Sequence, residues 1–192
     1  MTEYEKMLAG LDYDGGDSHI NEIKHLAYQS QQRINHAASV EQAQQDLRSL
    51  MSLGEGCWIT PPFHCEFGRH IEMGDSCFLN MGVTMLDGAR ITLGRNVMVG
   101  PNAQFYTASH SLDHRQRRSW ETICQPIVVE DDVWIGGNVV ITQGVTIGRG
   151  AVIAANSTVT RDVEPLTLMA GSPARCIRRL DTEPHSGEQA QS

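Results

Sequence analysis

Positive charge is scarce in this sequence: 15 Lys and Arg stand against 23 Asp and Glu, a formal net charge of −8. A general nucleic-acid binder needs a basic face for phosphate contacts, so this balance argues against one. Long apolar runs are missing as well. No stretch approaches about 20 consecutive apolar residues, so no transmembrane helix and no membrane partner are expected. The N-terminal MTEYEKMLAG has no apolar core of signal-peptide length. The five cysteines (57, 65, 77, 124 and 176) form an odd set with no CxxC pair. A disulfide framework favours an even, clustered set, so reduced thiols in a cytoplasmic protein are the expectation. Cys77 and Cys176 stand where small apolar residues would serve and are read as buried or half-buried thiols.

What is present is an ordinary globular balance, 40% apolar and 20% charged over 192 residues, enough for one domain with a real core and a small appendage. Residues 1–55 form a helical N-terminal segment rich in Gln, Glu, Lys, His and Leu. Ile20, Ile23, Ala27 and Ile34 share roughly one side of a helix starting near Ser18. Ser39, three residues before Gln42, has the spacing of a capping box. Val40, Ala43, Leu47, Leu50 and Met51 then recur at helical spacing.

From residue 56 to about 180 the texture changes to Val, Ile, Thr, Gly and Asn with a period of six. The repeats are clearest in VWIGGN from Val133, VVITQG from Val139, VTIGRG from Val145, AVIAAN from Ala151 and STVTRD from Ser157. One column of apolar residues runs through Ile135, Ile141, Ile147, Ile153 and Val159. Upstream it continues through Met73, Leu79 and Met85, slips by two residues at Asp87-Gly88, and resumes with Leu93, Val99 and Phe105. Such a period is neither helical nor simply alternating. Short strands with Gly, Asn or Asp at the corners explain it, three to a triangular coil, the coils stacking by parallel pairing around an apolar interior. Residues 106–126 are too polar to fill a coil and predict a projecting loop, although Ala103 and Ile127 differ by 24 residues, four periods. Residues 181–192, DTEPHSGEQAQS, predict a disordered tail.

Several motifs together resemble one family, the maltose, galactoside and nodulation-factor O-acetyltransferases. They are EKMLAG followed by Tyr13-Asp14, PFHCEFG from Pro62, Leu79-Asn80 with Met85-Leu86-Asp87, TASHSLD from Thr107, DVWIGGNVVI from Asp132 and AGSPAR from Ala170. The resemblance covers Tyr4 to about Leu180. It implies a left-handed parallel β-helix, a handedness that the period of six does not itself supply. It further implies an acetyl-CoA-dependent O-acetyltransferase without a metal, assembled as a homotrimer with each active site between adjacent prisms.

Transfer of an acetyl group from a thioester to an alcohol needs a base, because a sugar hydroxyl is barely ionised at neutral pH, and histidine suits that task. By position in the loop motif the resemblance makes His110 the catalytic histidine; the other seven histidines are read as surface or structural residues. On the acceptor side it points to Asn80, Glu66, Phe78 and Asp87, with Asp14 or Asp17 reaching in from the N-terminal segment. Four positions depart from the family pattern: Glu66 replaces Asp or Ser, Phe78 replaces Tyr, Gly88 stands where some relatives carry a second Asp, and Thr122 stands where several place Glu. These departures bear on which acceptor is used. For the donor, Trp134, Gly137, Ala155, Thr160, Arg161, Arg175 and Arg178 would line the coenzyme A site. Arginine suits its phosphates, and small residues let the pantetheine arm approach the backbone. Two other readings remain open at this point: an antibiotic O-acetyltransferase of the same fold, and a non-catalytic β-helix scaffold.

Overall fold

A computed structural model describes residues 1–180; the expected tail at 181–192 lies outside the described residues. The architecture is a parallel β-helix with a helical N-terminal segment. Three stacks of short strands form the prism faces. One runs from Trp58–Ile59 through Phe78–Leu79, Met98–Val99, Trp134–Ile135 and Val152–Ile153 to Thr167–Ala170, and is closed by the antiparallel strand Arg175–Arg179. The other two faces each hold five strands in parallel register.

The apolar column of the sequence is the interior: Met73, Leu79, Met85, Leu93, Val99, Phe105, Ile135, Ile141, Ile147, Ile153 and Val159 are all buried in one core. Each such side chain contributes about 1.5–3 kcal/mol through burial. Adjacent strands pair at a spacing of 18 residues late in the chain, Trp134 with Val152, but of 20 early on, Trp58 with Phe78. The phase slip at Asp87-Gly88 is this two-residue widening of one corner. The spacing of 24 between Ala103 and Ile127 has a different origin from four periods. Ile127–Val129 pairs with Ile91–Leu93 and Gln104–Tyr106 with Thr84–Leu86, so the widened corner recurs with an excursion inside it.

That excursion is partly ordered as strands. Ala108–His110 and Glu121–Cys124 pair antiparallel, and Glu121–Cys124 pairs in turn with Tyr13–Asp14 of the N-terminal segment. The helical segment is correspondingly less uniform and shorter than 1–55. Its helices are α1 (Glu3–Leu8), α2 (Ser18–Asn35) and α3 (Val40–Leu50), and Ser52–Leu53 already belongs to a prism face. Ile20, Ile23, Ala27 and Ile34 of α2 are buried as expected, as are Ala43, Leu47 and Met51, whereas Val40 is exposed. The Ser39 cap is one-sided: its hydroxyl accepts from the Gln42 amide, but the Gln42 side chain turns to Asp46. A reciprocal capping box occurs instead at Thr2 and Glu5. All five cysteines are free; Cys77 is buried, while Cys176 is exposed on the outer strand, contrary to the expectation for it. No helix among the described residues is long and apolar enough to cross a membrane.

Candidate active site

The seven-stranded face carries a row of outward aromatic and apolar side chains. Register aligns Trp58, Phe78, Met98, Trp134, Val152 and Leu168, and the first four are substantially exposed. Beside them, along the corner, lies an open groove of about 580 Å³ whose lining includes Phe78, Asn80, Pro101, Trp134, Gly137 and Ala155. Its floor depends on two glycines. A Cβ on Gly100 would stand 2.6 Å from the Gly137 amide nitrogen, and one on Gly136 would stand 2.6 Å from that of Ala155. The corners of successive coils therefore stack at backbone contact, leaving room outside for a slender ligand. Asn80 turns its Oδ1 back onto the Met81 amide at 2.8 Å, so its Nδ2 donors have the groove before them.

Toward the end of the prism, Thr160 and Arg161, which follow Thr158–Val159 of a five-stranded face, line a small hollow with Arg175 of the closing strand. Arg178 sits on the closing strand opposite Leu168, which itself lines the groove. Of the seven residues expected around coenzyme A, Trp134, Gly137 and Ala155 thus line the groove, whereas Thr160, Arg161, Arg175 and Arg178 lie toward the C-terminal end of the prism.

His110 does not line this groove. It ends the strand Ala108–His110 and is exposed, and its Nδ1 lies 3.0 Å from the Glu121 carbonyl oxygen. A carbonyl only accepts, so Nδ1 carries the hydrogen and the neutral ring keeps its lone pair on Nε2. The Thr122 hydroxyl stands 3.4 Å from the same Nδ1 and donates to the Trp120 carbonyl at 2.8 Å. The Trp120 ring meets the imidazole edge-on, with centroids 6.4 Å apart.

The acidic candidates divide. Asp14 is exposed and lines a hollow of about 280 Å³ with Gly15, Gly16, Asn21, Ser119 and Trp120. Asp17 caps α2, accepting from the His19 and Ile20 amides. Glu66 forms an ion pair with Lys24 of α2 at 2.7 Å. Asp87 departs furthest from an acceptor contact: it is fully buried. Its Oδ1 accepts from the Glu66 and Phe67 amides at 2.9 Å each, and Oδ2 faces the His70 amide at 3.4 Å. Burial raises its pKa against the opposing pull of those amides and of His70. Its role is to tie the widened corners of two coils together. Beside it, a Cβ on Gly88 would stand 2.6 Å from the Cys124 sulfur, so a buried thiol fills the space that a side chain at this position would need.

Sequence reasoning passed over Met98, Pro101, Asn21 and Trp120. Met98 was within reach as an apolar residue in the same outward repeat position as Trp134. Trp120 was hidden in a polar loop.

Comparison with known proteins bears on this arrangement. Residues 126–161 match the model of the bacterial transferase hexapeptide (six repeats). The chain is 41% identical to nodulation protein L of Rhizobium meliloti, over 91% of this chain and 97% of that protein. The chain belongs to the hexapeptide-repeat acetyltransferases. With that membership comes acetyl-CoA-dependent acyl transfer. A hexapeptide-repeat acetyltransferase from Vibrio cholerae O1 biovar eltor, complexed with acetyl-CoA, superposes with a TM-score of 0.89 at 53% identity, covering 94% of this chain and 100% of that one. A maltose O-acetyltransferase from Clostridium difficile 630 gives a TM-score of 0.92 at 36% identity, over 94% of this chain and 98% of that one.

Proposed function

We propose that this acetyltransferase moves the acetyl group of acetyl-CoA onto a hydroxyl of a sugar or sugar-like acceptor, with His110 as the general base. The observation that carries the reading is the bond from His110 Nδ1 to the Glu121 carbonyl, which leaves an exposed Nε2 able to take a proton. Nε2 removes the hydroxyl proton as the acceptor oxygen attacks the thioester carbonyl. The tetrahedral intermediate then expels the coenzyme A thiolate, which takes the proton back from the imidazolium. No acetyl-enzyme forms. Asn80 Nδ2 donates to the oxyanion or to an acceptor hydroxyl, and Asp14 accepts from the acceptor.

The pantetheine arm lies along Trp134, Gly137 and Ala155, and the nucleotide phosphates meet Thr160, Arg161, Arg175 and Arg178. Because His110 lies outside the groove that holds Asn80, the reacting groups meet between two copies of the chain. A homotrimer accomplishes this by covering the exposed row of Trp58, Phe78, Met98 and Trp134, an apolar stripe that calls for a partner surface.

The test is acetyl-CoA-dependent turnover across monosaccharides, disaccharides, amino sugars and hydroxylated antibiotics, with mass spectrometry of the products. A sugar O-acetyl ester as the best product supports the reading. Faster acetylation of an antibiotic hydroxyl, or of an amine, overturns the acceptor class.

A further inference from the structure

Trp120 combines three features that the mechanism does not use. Its backbone is left-handed, at φ 60°, a conformation that glycine adopts freely and a bulky aromatic side chain rarely does. Both of its main-chain groups are held: its N–H donates to the Arg117 carbonyl at 3.2 Å, and its carbonyl accepts from the Thr122 hydroxyl at 2.8 Å. Yet the residue is 70% exposed. The turn that closes the short helix Gln116–Ser119 accounts for the backbone, but nothing in the fold requires an apolar ring to be held out in solvent there.

Around the ring are hydrogen-bonding groups suited to hydroxyls. Trp120 and Asp14 line the same hollow as Asn21. Asp14 Oδ1 is taken by the Gly16 amide, which leaves Oδ2. The Asn21 Nδ2 donates to the Gly16 carbonyl, which leaves its amide oxygen. Asp14 pairs directly across the strands with Glu121, whose buried Oε2 has no hydrogen-bond partner among the described residues. An exposed aromatic face bordered by spare carboxylate and amide oxygens fits a neutral sugar ring, with its apolar C–H face on the indole and its hydroxyls donating to the oxygens.

We infer that Trp120 is a specificity-determining residue, the platform of a subsite that holds a second, non-reacting sugar ring of the acceptor beside His110. The inference rests on the sugar O-acetyltransferase reading and adds that the preferred acceptor is longer than one ring. Trp120→Gly is the informative variant, because glycine accepts the positive φ and removes only the side chain. Wild type is expected to prefer a disaccharide such as maltose or cellobiose over glucose in kcat/KM. Trp120→Gly lowers that ratio by about tenfold, the size of one lost stacking contact, with the loss in KM, and Trp120→Phe restores most of it. An equal loss on both acceptors marks a merely structural role and overturns the inference, as does no loss on either. Intrinsic fluorescence keeps the two readings apart. If no sugar is acetylated but a disaccharide still perturbs the emission of wild type and not of Trp120→Gly, the subsite stands and the sugar O-acetyltransferase reading falls. If neither protein responds and none is turned over, both fall.

Discussion

The His110 imidazole reaches the main-chain carbonyl of Glu121 on the adjacent antiparallel strand, and the 3.0 Å contact from Nδ1 to that oxygen determines which nitrogen of the ring is basic. Because the acceptor is a main-chain carbonyl, no exchange of roles between the partners is available. Nitrogen-15 NMR of the neutral ring should therefore show the Nδ1–H tautomer for His110, with Nε2 unprotonated. An Nε2–H tautomer would remove the structural basis for proton abstraction by that atom.

The groove should tolerate bulk structurally but not functionally. Ala155 is exposed at its corner and lines the groove with Trp134 and Pro101. Ala155→Trp fills the space without entering the core. An increase of tenfold or more in the KM for acetyl-CoA is expected, about 1.4 kcal/mol of lost binding, with the thermal midpoint near that of wild type. Unaltered acetyl-CoA kinetics would place the donor elsewhere.

Asp87 should behave as a structural residue. Asp87→Ala strands the Glu66 and Phe67 amides in the interior, at roughly 1–3 kcal/mol per unsatisfied group. Chemical denaturation should show a loss of at least about 2 kcal/mol on that basis. Full stability combined with a large rise in acceptor KM would return Asp87 to the acceptor site.

Alkaline pH should weaken the fold through its buried thiols. Burial pushes the Cys77 thiol up from the usual 9 to about 11, and burial moves Cys65 and Cys124 in the same direction. The folded chain keeps these protons while the unfolded chain releases them above about pH 9, so the unfolded state binds fewer protons. Stability then falls as pH rises from about 9 toward 11, by up to about 1.4 kcal/mol per pH unit for each such group. Denaturation midpoints across this range should decline less steeply for Cys77→Ala than for wild type. Equal slopes would show that the Cys77 thiol ionises alike in both states.

A site divided between copies makes a prediction that a single chain cannot meet. His110→Ala and Asn80→Ala are each expected to be impaired. When the two variants are refolded together in equal amounts, the proposed trimer would join two intact faces at about a quarter of its interfaces by random assortment. Activity of the mixture should rise toward that fraction. No recovery would mean that both residues act from one chain.

The prism was legible in the sequence because a period of six repeats often enough to define its own interior, and Ile135 through Val159 never leave that phase. The two-residue slip at Asp87-Gly88 was visible too, but its meaning was not. The amides that Asp87 serves lie one coil away, and only stacking brings Glu66 and Phe67 to it. Glu66 and Asp17 were obscured for the same reason: an acid in a polar stretch looks free until Lys24 or the start of α2 is placed beside it. The groove residues were better marked, since Trp134, Gly137 and Ala155 occupy defined repeat positions. Trp120 had no such frame, because its left-handed backbone is set by a short turn that leaves no periodic trace.

The most direct measurement is acceptor-dependent release of coenzyme A by wild type and by His110→Ala, at saturating acetyl-CoA and with the best acceptor found. Loss of a general base predicts a fall in kcat of about 10²–10⁴-fold, with acetyl-CoA binding retained because the groove lies apart from His110. A variant that releases coenzyme A at near the wild-type rate would contradict a catalytic role for His110.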